Sequence, residues 1–309
     1  MESEKKESPV CGGAEKYRHP YGSKLVSCPQ PDYRAAMSAA GLPTKDLIIA
    51  DGKLHRCHIE GDKPGSKNGF YVLYGDNIPA GCFGSWKTGD TIKWCAKPDK
   101  ELTRAQREQN RRRILEAYKV REAEEIERRR AARNKALLIW KSSPPVSDSH
   151  LYLVKKCVKN HGLRLHKGLL VIPLRDNDEN LHSLQFIDGE GNKRFLSGGR
   201  KKGCYFFIGI PVESLCIAEG YATAASIYES TGIPVAVAFD AGNLMPVAQA
   251  LRTKFPEIKI TLCADNDTAT PGNPGLTKAR EAAAHIGAYL AVPSSAGDFN
   301  DLSHGESHE

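Results

Sequence analysis

Leu215-Cys-Ile-Ala-Glu219-Gly220 and Thr261-Leu-Cys-Ala-Asp265-Asn-Asp267, about 45 residues apart, decide how this chain is read. Each is an apolar run of strand character that ends in carboxylates, and a segment of helical character follows each. Side chains alternate across a strand, so Asp265 and Asp267 leave it on one side with Asn266 between them. In an open parallel sheet the ligand crevice lies beyond the carboxyl ends of the strands, where Glu219 and the aspartate pair are expected to converge. Hard carboxylate oxygens in that setting predict a Mg²⁺ site, the cation keeping water or substrate phosphate in its remaining positions.

The segments between and after these motifs alternate between helix and strand. Residues 221–231 read as a helix stopped by Gly232, 234–239 as a buried strand and 243–254 as a second helix. Residues 259–264 form the next strand. A helix over 276–286, carrying Lys278, Arg280 and Glu281, leads to a last strand over 288–292. This order predicts a doubly wound, mainly parallel sheet with right-handed crossovers. Gly297-Asp298-Phe-Asn-Asp301-Leu302 then supplies a third acidic cluster, placed to join the first two.

In this order and spacing, residues 213–302 resemble a Toprim domain, the catalytic fold shared by bacterial-type DNA primases, topoisomerases and some nucleases. The resemblance implies a general acid or base role for Glu219. It implies Mg²⁺ (or Mn²⁺) ligation by Asp265 and Asp267, with Asp298 and Asp301 as further candidates. One departure stands out: replicative primases often place an Asp four residues after the Glu, and here that position is Thr223, which puts a second metal site in doubt.

Upstream, 168–175 is a strand-like run and 181–187 alternates like a half-buried strand, with Asp188-Gly189 and Glu190-Gly191-Asn192 as turn chemistry. Lys193-Arg-Phe-Leu-Ser-Gly-Gly-Arg200-Lys201-Lys202-Gly follows, then Tyr205-Phe-Phe207. This order resembles the basic subdomain that precedes Toprim in bacterial primases. Lys193, Arg194, Arg200, Lys201 and Lys202 crowd a glycine-rich stretch where cations approach phosphates closely, and either a nucleic-acid contact or a solvated loop fits them. Lys278 and Arg280 are candidates for the same role. Tyr205–Phe207 is either core strand or a base-stacking platform.

The chain has 309 residues, 40% of them hydrophobic, and a net charge of +7. That length permits two domains. Fourteen basic and eight acidic residues between Asp99 and Lys141 hold most of the charge excess. The segment has strong helix formers and almost no apolar stripe, which predicts a long exposed helix bridging two domains, either a salt-bridged spacer or a DNA-tracking arm. Ser142-Ser-Pro-Pro145 ends it. Residues 31–97 read as a small α+β domain, with a helix near 32–40, a strand at 69–74, and Trp86 and Trp94 in its core.

The nine cysteines are dispersed and contain no Cys-x-x-Cys pair, which fits reduced thiols in a cytoplasmic protein. His55, Cys57, His58, Cys82 and Cys95 match no standard zinc spacing, and Cys11-Gly12-Gly13 lacks the partner pairs of a primase zinc ribbon, so zinc is not expected. No apolar run is long enough to span a membrane.

The expected organisation is a tail (1–30), a small α+β domain (31–97), a charged helical linker (98–143), a primase-type basic α+β subdomain (144–212), an α/β Toprim catalytic domain (213–305) and a short tail (306–309). It resembles the Toprim-containing primase-like proteins of plasmids, phages and other mobile elements. That resemblance implies a nucleotidyltransferase making RNA primers from ribonucleoside triphosphates on single-stranded DNA. A Toprim nuclease, or a non-catalytic single-stranded DNA-binding accessory of a replication or mobilisation complex, are the alternatives. No Walker-type phosphate loop occurs, so a helicase or replication partner is expected to be a separate chain.

Overall fold

The computed structural model describes residues 30–304 except Asn77. The expected tails, with Cys11-Gly12-Gly13, lie outside the described residues, apart from Gln30. The chain divides into two compact units between Glu124 and Glu125.

In the first unit, helix α1 (Gln30–Ala39) packs on an antiparallel sheet of β1 (His55–Cys57), β2 (Gly69–Tyr74), β3 (Ala80–Ser85) and β4 (Thr91–Cys95), in that order. Alternation along β2 sends Tyr71 and Leu73 to one face, where Tyr33, Met37, Cys57 and Phe83 close the core. The Tyr33 hydroxyl, buried there, donates to the Cys82 carbonyl at 2.7 Å. Val72 and Cys82 face the other way, against Ala117 of helix α2 (Arg104–Ser142). The residues weighed for zinc are therefore spread over both faces of the sheet. His55 is bonded to Asp51 and stacked on Tyr71, and Cys95 accepts from the Asn110 amide.

Helix α2 lacks a stripe of large apolar residues, yet it is not bare. Asn110, Ala117, Ala132 and Ala136 are buried along it. The Arg121 guanidinium lies 5.0 Å from the Phe70 ring centre and 5.2 Å from that of Trp86, and it donates to the Thr91 hydroxyl at 2.8 Å. Arg113 lies 5.3 Å from the Tyr74 ring. A planar, weakly hydrated guanidinium covers an aromatic face as an apolar side chain would, which is how so charged a helix packs.

In the second unit, Ala136 and the half-buried Leu137, Ile139 and Trp140 of α2 cover Val171, Leu184 and Phe186. These belong to an antiparallel sheet of β5 (Arg164–His166), β6 (Leu169–Arg175), β7 (Leu181–Ile187) and β8 (Lys193–Phe195), preceded by the short helix α3 (Leu151–Lys155). The second sheet takes β9 (Phe206–Ile208), β10 (Ser214–Ala218), β11 (Val235–Val237), β12 (Lys259–Cys263) and β13 (Tyr289–Ala291), in the order β13-β12-β10-β11-β9. All pairs are parallel except β9 with β11.

Between these strands run α4 (Tyr221–Thr231), α5 (Ala241–Lys254) and α6 (Pro274–Ile286), and α7 (Phe299–His304) closes the described chain. Strand alternation sorts them. Cys216, Ala218, Val235 and Val237 meet α4 on one face, while Leu215, Ile217, Ile260 and Leu262 meet α5 and α6 on the other. Each buried Leu, Ile or Val contributes about 1.5–3 kcal/mol of transfer free energy. Gly232, at φ +70°, ends α4 with its N–H on the Tyr228 carbonyl.

The aromatic run is core. Tyr205 is buried with its hydroxyl on Asn177, Phe206 packs beside Tyr221, and Phe207 packs beside Phe255. Among the described residues, no helix is long and apolar enough to cross a membrane.

Candidate active site

Strands β10 and β12 lie side by side with Ala218 opposite Cys263, so Glu219 and Asp265 leave neighbouring strands at the same edge of the sheet. The chain turns to one side of β10 through α4 to reach β11, then crosses back through α5 to β12. This is a topological switch point, the place where an open α/β sheet leaves a crevice. Strand β11 exits beside them into Phe239 and Asp240. The Asp240 side chain caps α5 by accepting from the Asn243 N–H at 3.0 Å.

Asp265 is the most perturbed carboxyl of this edge. Gly275 of α6 approaches so closely that a Cβ there would stand 3.1 Å from the Asp265 carbonyl oxygen. Its Oδ1 is buried with no hydrogen-bond partner. Burial first, then the negative fields of Glu219 and Asp298, push its pKa up to about 7, against the pull of Lys193. Glu219 is raised as well, by burial and then by Asp240, while the Ala241 N–H and Lys193 pull it back.

The third acidic cluster is tied to the second through the backbone. Asn266 N–H donates to Gly297 O at 2.8 Å and Gly297 N–H returns to Asn266 O at 3.0 Å. This bridge sets Asp265 and Asp267 against Asp298 and Asp301, and all four line one cavity of about 340 Å³. The carboxylates are already engaged, except at Asp265. Asp298 Oδ2 accepts from the Thr223 hydroxyl at 2.8 Å, and its Oδ1 accepts from the N–H groups of Asn300 and Asp301. Asp301 Oδ2 accepts from Asp298 N–H and its Oδ1 lies 3.5 Å from Lys156 Nζ. Asp267 accepts from Thr270.

Four carboxylates on one cavity, one of them with a buried orphan oxygen and a pKa raised by burial and then by its neighbours, form a donor set that suits a hard divalent cation. The side chains are not yet gathered for it: among the described residues, no three His, Cys, Asp or Glu side chains converge on one point. Turning Asp267 or Asp301 away from its present partner is a rotamer change.

The basic residues divide. Exposed Lys193 on β8 reaches the Glu219–Gly220 turn, its Nζ 3.6 Å from where a Gly220 Cβ would stand. Lys201 pairs with Asp240 at the same edge. Arg194 lies over the Phe186 ring, and Arg200 turns to the Lys202 carbonyl and to Asp176. Lys202 and Arg280 are exposed, and Lys278 pairs with Glu281 at 2.7 Å. Asp240 and Lys156 are site neighbours absent from the sequence reading. Asp240 carried a usable signal, since it ends an apolar strand just as Glu219 and Asp265 do. Lys156 carried none.

Residues 214–309 match the Toprim domain family. The chain is 35% identical over 289 residues to a DNA primase, TraC, of Escherichia coli, covering 86% of this chain and 26% of that protein. It is 34% identical over 291 residues to a second Escherichia coli DNA primase TraC, covering 86% of this chain and 19% of that protein. The chain thus spans about a quarter or less of the length of these relatives. Among solved structures, the primase fragment of the bacteriophage T7 primase-helicase aligns with a TM-score of 0.40 at 18% identity, over 53% of this chain and 76% of that one.

Proposed function

We propose that this chain, which carries a Toprim domain, is a DNA primase-like nucleotidyltransferase that joins ribonucleotides into short RNA primers on single-stranded DNA. The observation that carries the reading is that the likeness to a DNA primase runs far upstream of residue 214, through the segment that supplies Lys193 and Lys201 to the acidic edge. Within one compact unit the chain then joins a carboxylate cavity to a cationic strand.

In this reading Glu219 takes the proton from the attacking 3′-hydroxyl. Burial and then the nearby Asp240 raise its pKa, the direction a general base needs. Asp265 and Asp267, with Asp298 and Asp301 beside them, would hold Mg²⁺ or Mn²⁺. When bound, such an ion neutralises the triphosphate oxygens. Lys193 orients phosphate next to Glu219. Exposed Lys202 and Arg280 supply template-backbone charge, and a helicase or other replication protein would be a separate partner.

The test is incorporation of labelled ribonucleotides on single-stranded DNA with Mg²⁺ or Mn²⁺, comparing the native chain with Glu219→Gln. Short products from the native chain alone support a primase. Tight DNA binding without synthesis points to a non-catalytic accessory, and cleavage of the strand to a nuclease.

A further inference from the structure

We propose that Phe195 is the stacking platform for the base of the ribonucleoside triphosphate whose phosphates reach the carboxylate cavity, an inference that rests on the nucleotidyltransferase reading above. Phe195 ends the edge strand β8, two residues after Lys193, and the two side chains therefore share a face. Both partners of that face lie at the carboxyl edge of the parallel sheet. Lys193 Nζ reaches the Glu219–Gly220 turn, and the Phe195 ring meets Phe239 edge-to-face at 6.2 Å, one residue before Asp240.

Phe195 keeps 37% of its surface open to solvent, whereas its neighbour Phe239 keeps 6%. A partly open aromatic ring on the same strand face as Lys193 offers what a nucleobase needs, a flat apolar surface that a cation already covers in its absence. Lys201, paired with Asp240, lies 5.2 Å from the same ring centre. A base stacked on Phe195 would take the place of the Lys201 ammonium over the ring, with Lys193 two residues away on the same strand.

The backbone at Phe239 is strained at this same edge. Its φ is +75°, a left-handed conformation that bulky side chains avoid, and such strain persists only where the surroundings hold it. Here the strained turn does two things. It brings the Phe239 ring against Phe195 at an interplanar angle of 79°, and two residues on the Ala241 N–H bonds the Glu219 carboxylate.

The experiment is calorimetric titration of the full chain in Mg²⁺ with ATP and, separately, with inorganic tripolyphosphate, which has no base. Phe195→Ala should weaken ATP about tenfold, as loss of one stacked base does, and leave tripolyphosphate unchanged. Phe195→Trp should bind ATP at least as well as the native chain. Phe195→Leu, which keeps an apolar contact with Phe239, should behave as Phe195→Ala. ATP binding by Phe195→Leu equal to the native chain, or equal losses for both ligands, would overturn the platform. If the native chain makes primers and Phe195→Ala still binds ATP normally, this inference alone fails. If the native chain binds neither ligand, the nucleotidyltransferase reading fails with it.

Discussion

The hydroxyl of Thr223 donates to Asp298 Oδ2 at 2.8 Å, joining residues 75 positions apart in sequence. Thr223 is buried, and the other oxygen of Asp298 already takes two backbone N–H groups at the start of α7. Both oxygens of Asp298 are therefore engaged within the protein, one of them by residue 223 itself. Thr223→Val should lower unfolding free energy by about 1–3 kcal/mol, the cost of stripping a donor from a part-buried carboxylate, as read by chemical denaturation.

Glu219→Gln preserves shape and removes the proton-accepting carboxylate. Primer synthesis should fall at least hundredfold, with single-stranded DNA affinity changed by less than about twofold. Equal loss of both would mean that Glu219 serves folding or binding instead.

Asp265 links pH to stability. Its folded-state pKa of about 7 lies above its unfolded value, so between roughly pH 4 and 7 the native state binds more protons. This contribution is complete below the unfolded value and is lost as pH rises through 7. In the presence of a chelator the melting temperature should therefore fall across that window, and Asp265→Asn should flatten the fall. Added Mg²⁺ at pH 8 should raise the melting temperature of the native chain and not of Asp265→Asn.

Lys201 and Lys202 are not equivalent. Lys201 is committed to Asp240, whereas Lys202 is exposed. Lys202→Ala should reduce the slope of log affinity against log salt for single-stranded DNA by about 0.7, the release expected for one phosphate contact, and Lys201→Ala by less. Equal changes would mean that the Lys201 pair opens on binding.

In the first unit, Arg121 does the work of an apolar residue against Phe70 and Trp86. Arg121→Ala should destabilise that unit by about 1–2 kcal/mol with little dependence on salt, and Arg121→Met should recover part of it.

The parallel sheet was legible because its strands are short apolar runs and its helices obey the helical period. Glu219 and Asp265 were legible because each ends such a run. The same pattern marks Asp240, which ends the apolar run of β11 but belongs to none of the acidic motifs that carry the resemblance. Helix α2 hid its packing: positions 110, 113, 117, 121, 124, 128, 132 and 136 recur at helical spacing, but they hold Asn, Arg, Ala and Glu, and a search for large apolar residues passes over them. Pairing direction is not written in a strand's composition, so nothing in Phe206–Ile208 announced an antiparallel partner. The desolvation of Asp265 depends on how near Gly275 comes, a distance set only by the folded chain.

The antiparallel pairing of β9 with β11 has a practical consequence for anyone who dissects this protein. The motif-bearing segment begins at Ser214, but the strand that shields Val235–Val237 lies upstream of it. A fragment started at residue 214 would bare a row of amide and carbonyl groups along a hydrophobic strand, an invitation to polymerise edge to edge. The smallest piece that can stand alone is set by this sealing strand, not by where the recognisable signature starts.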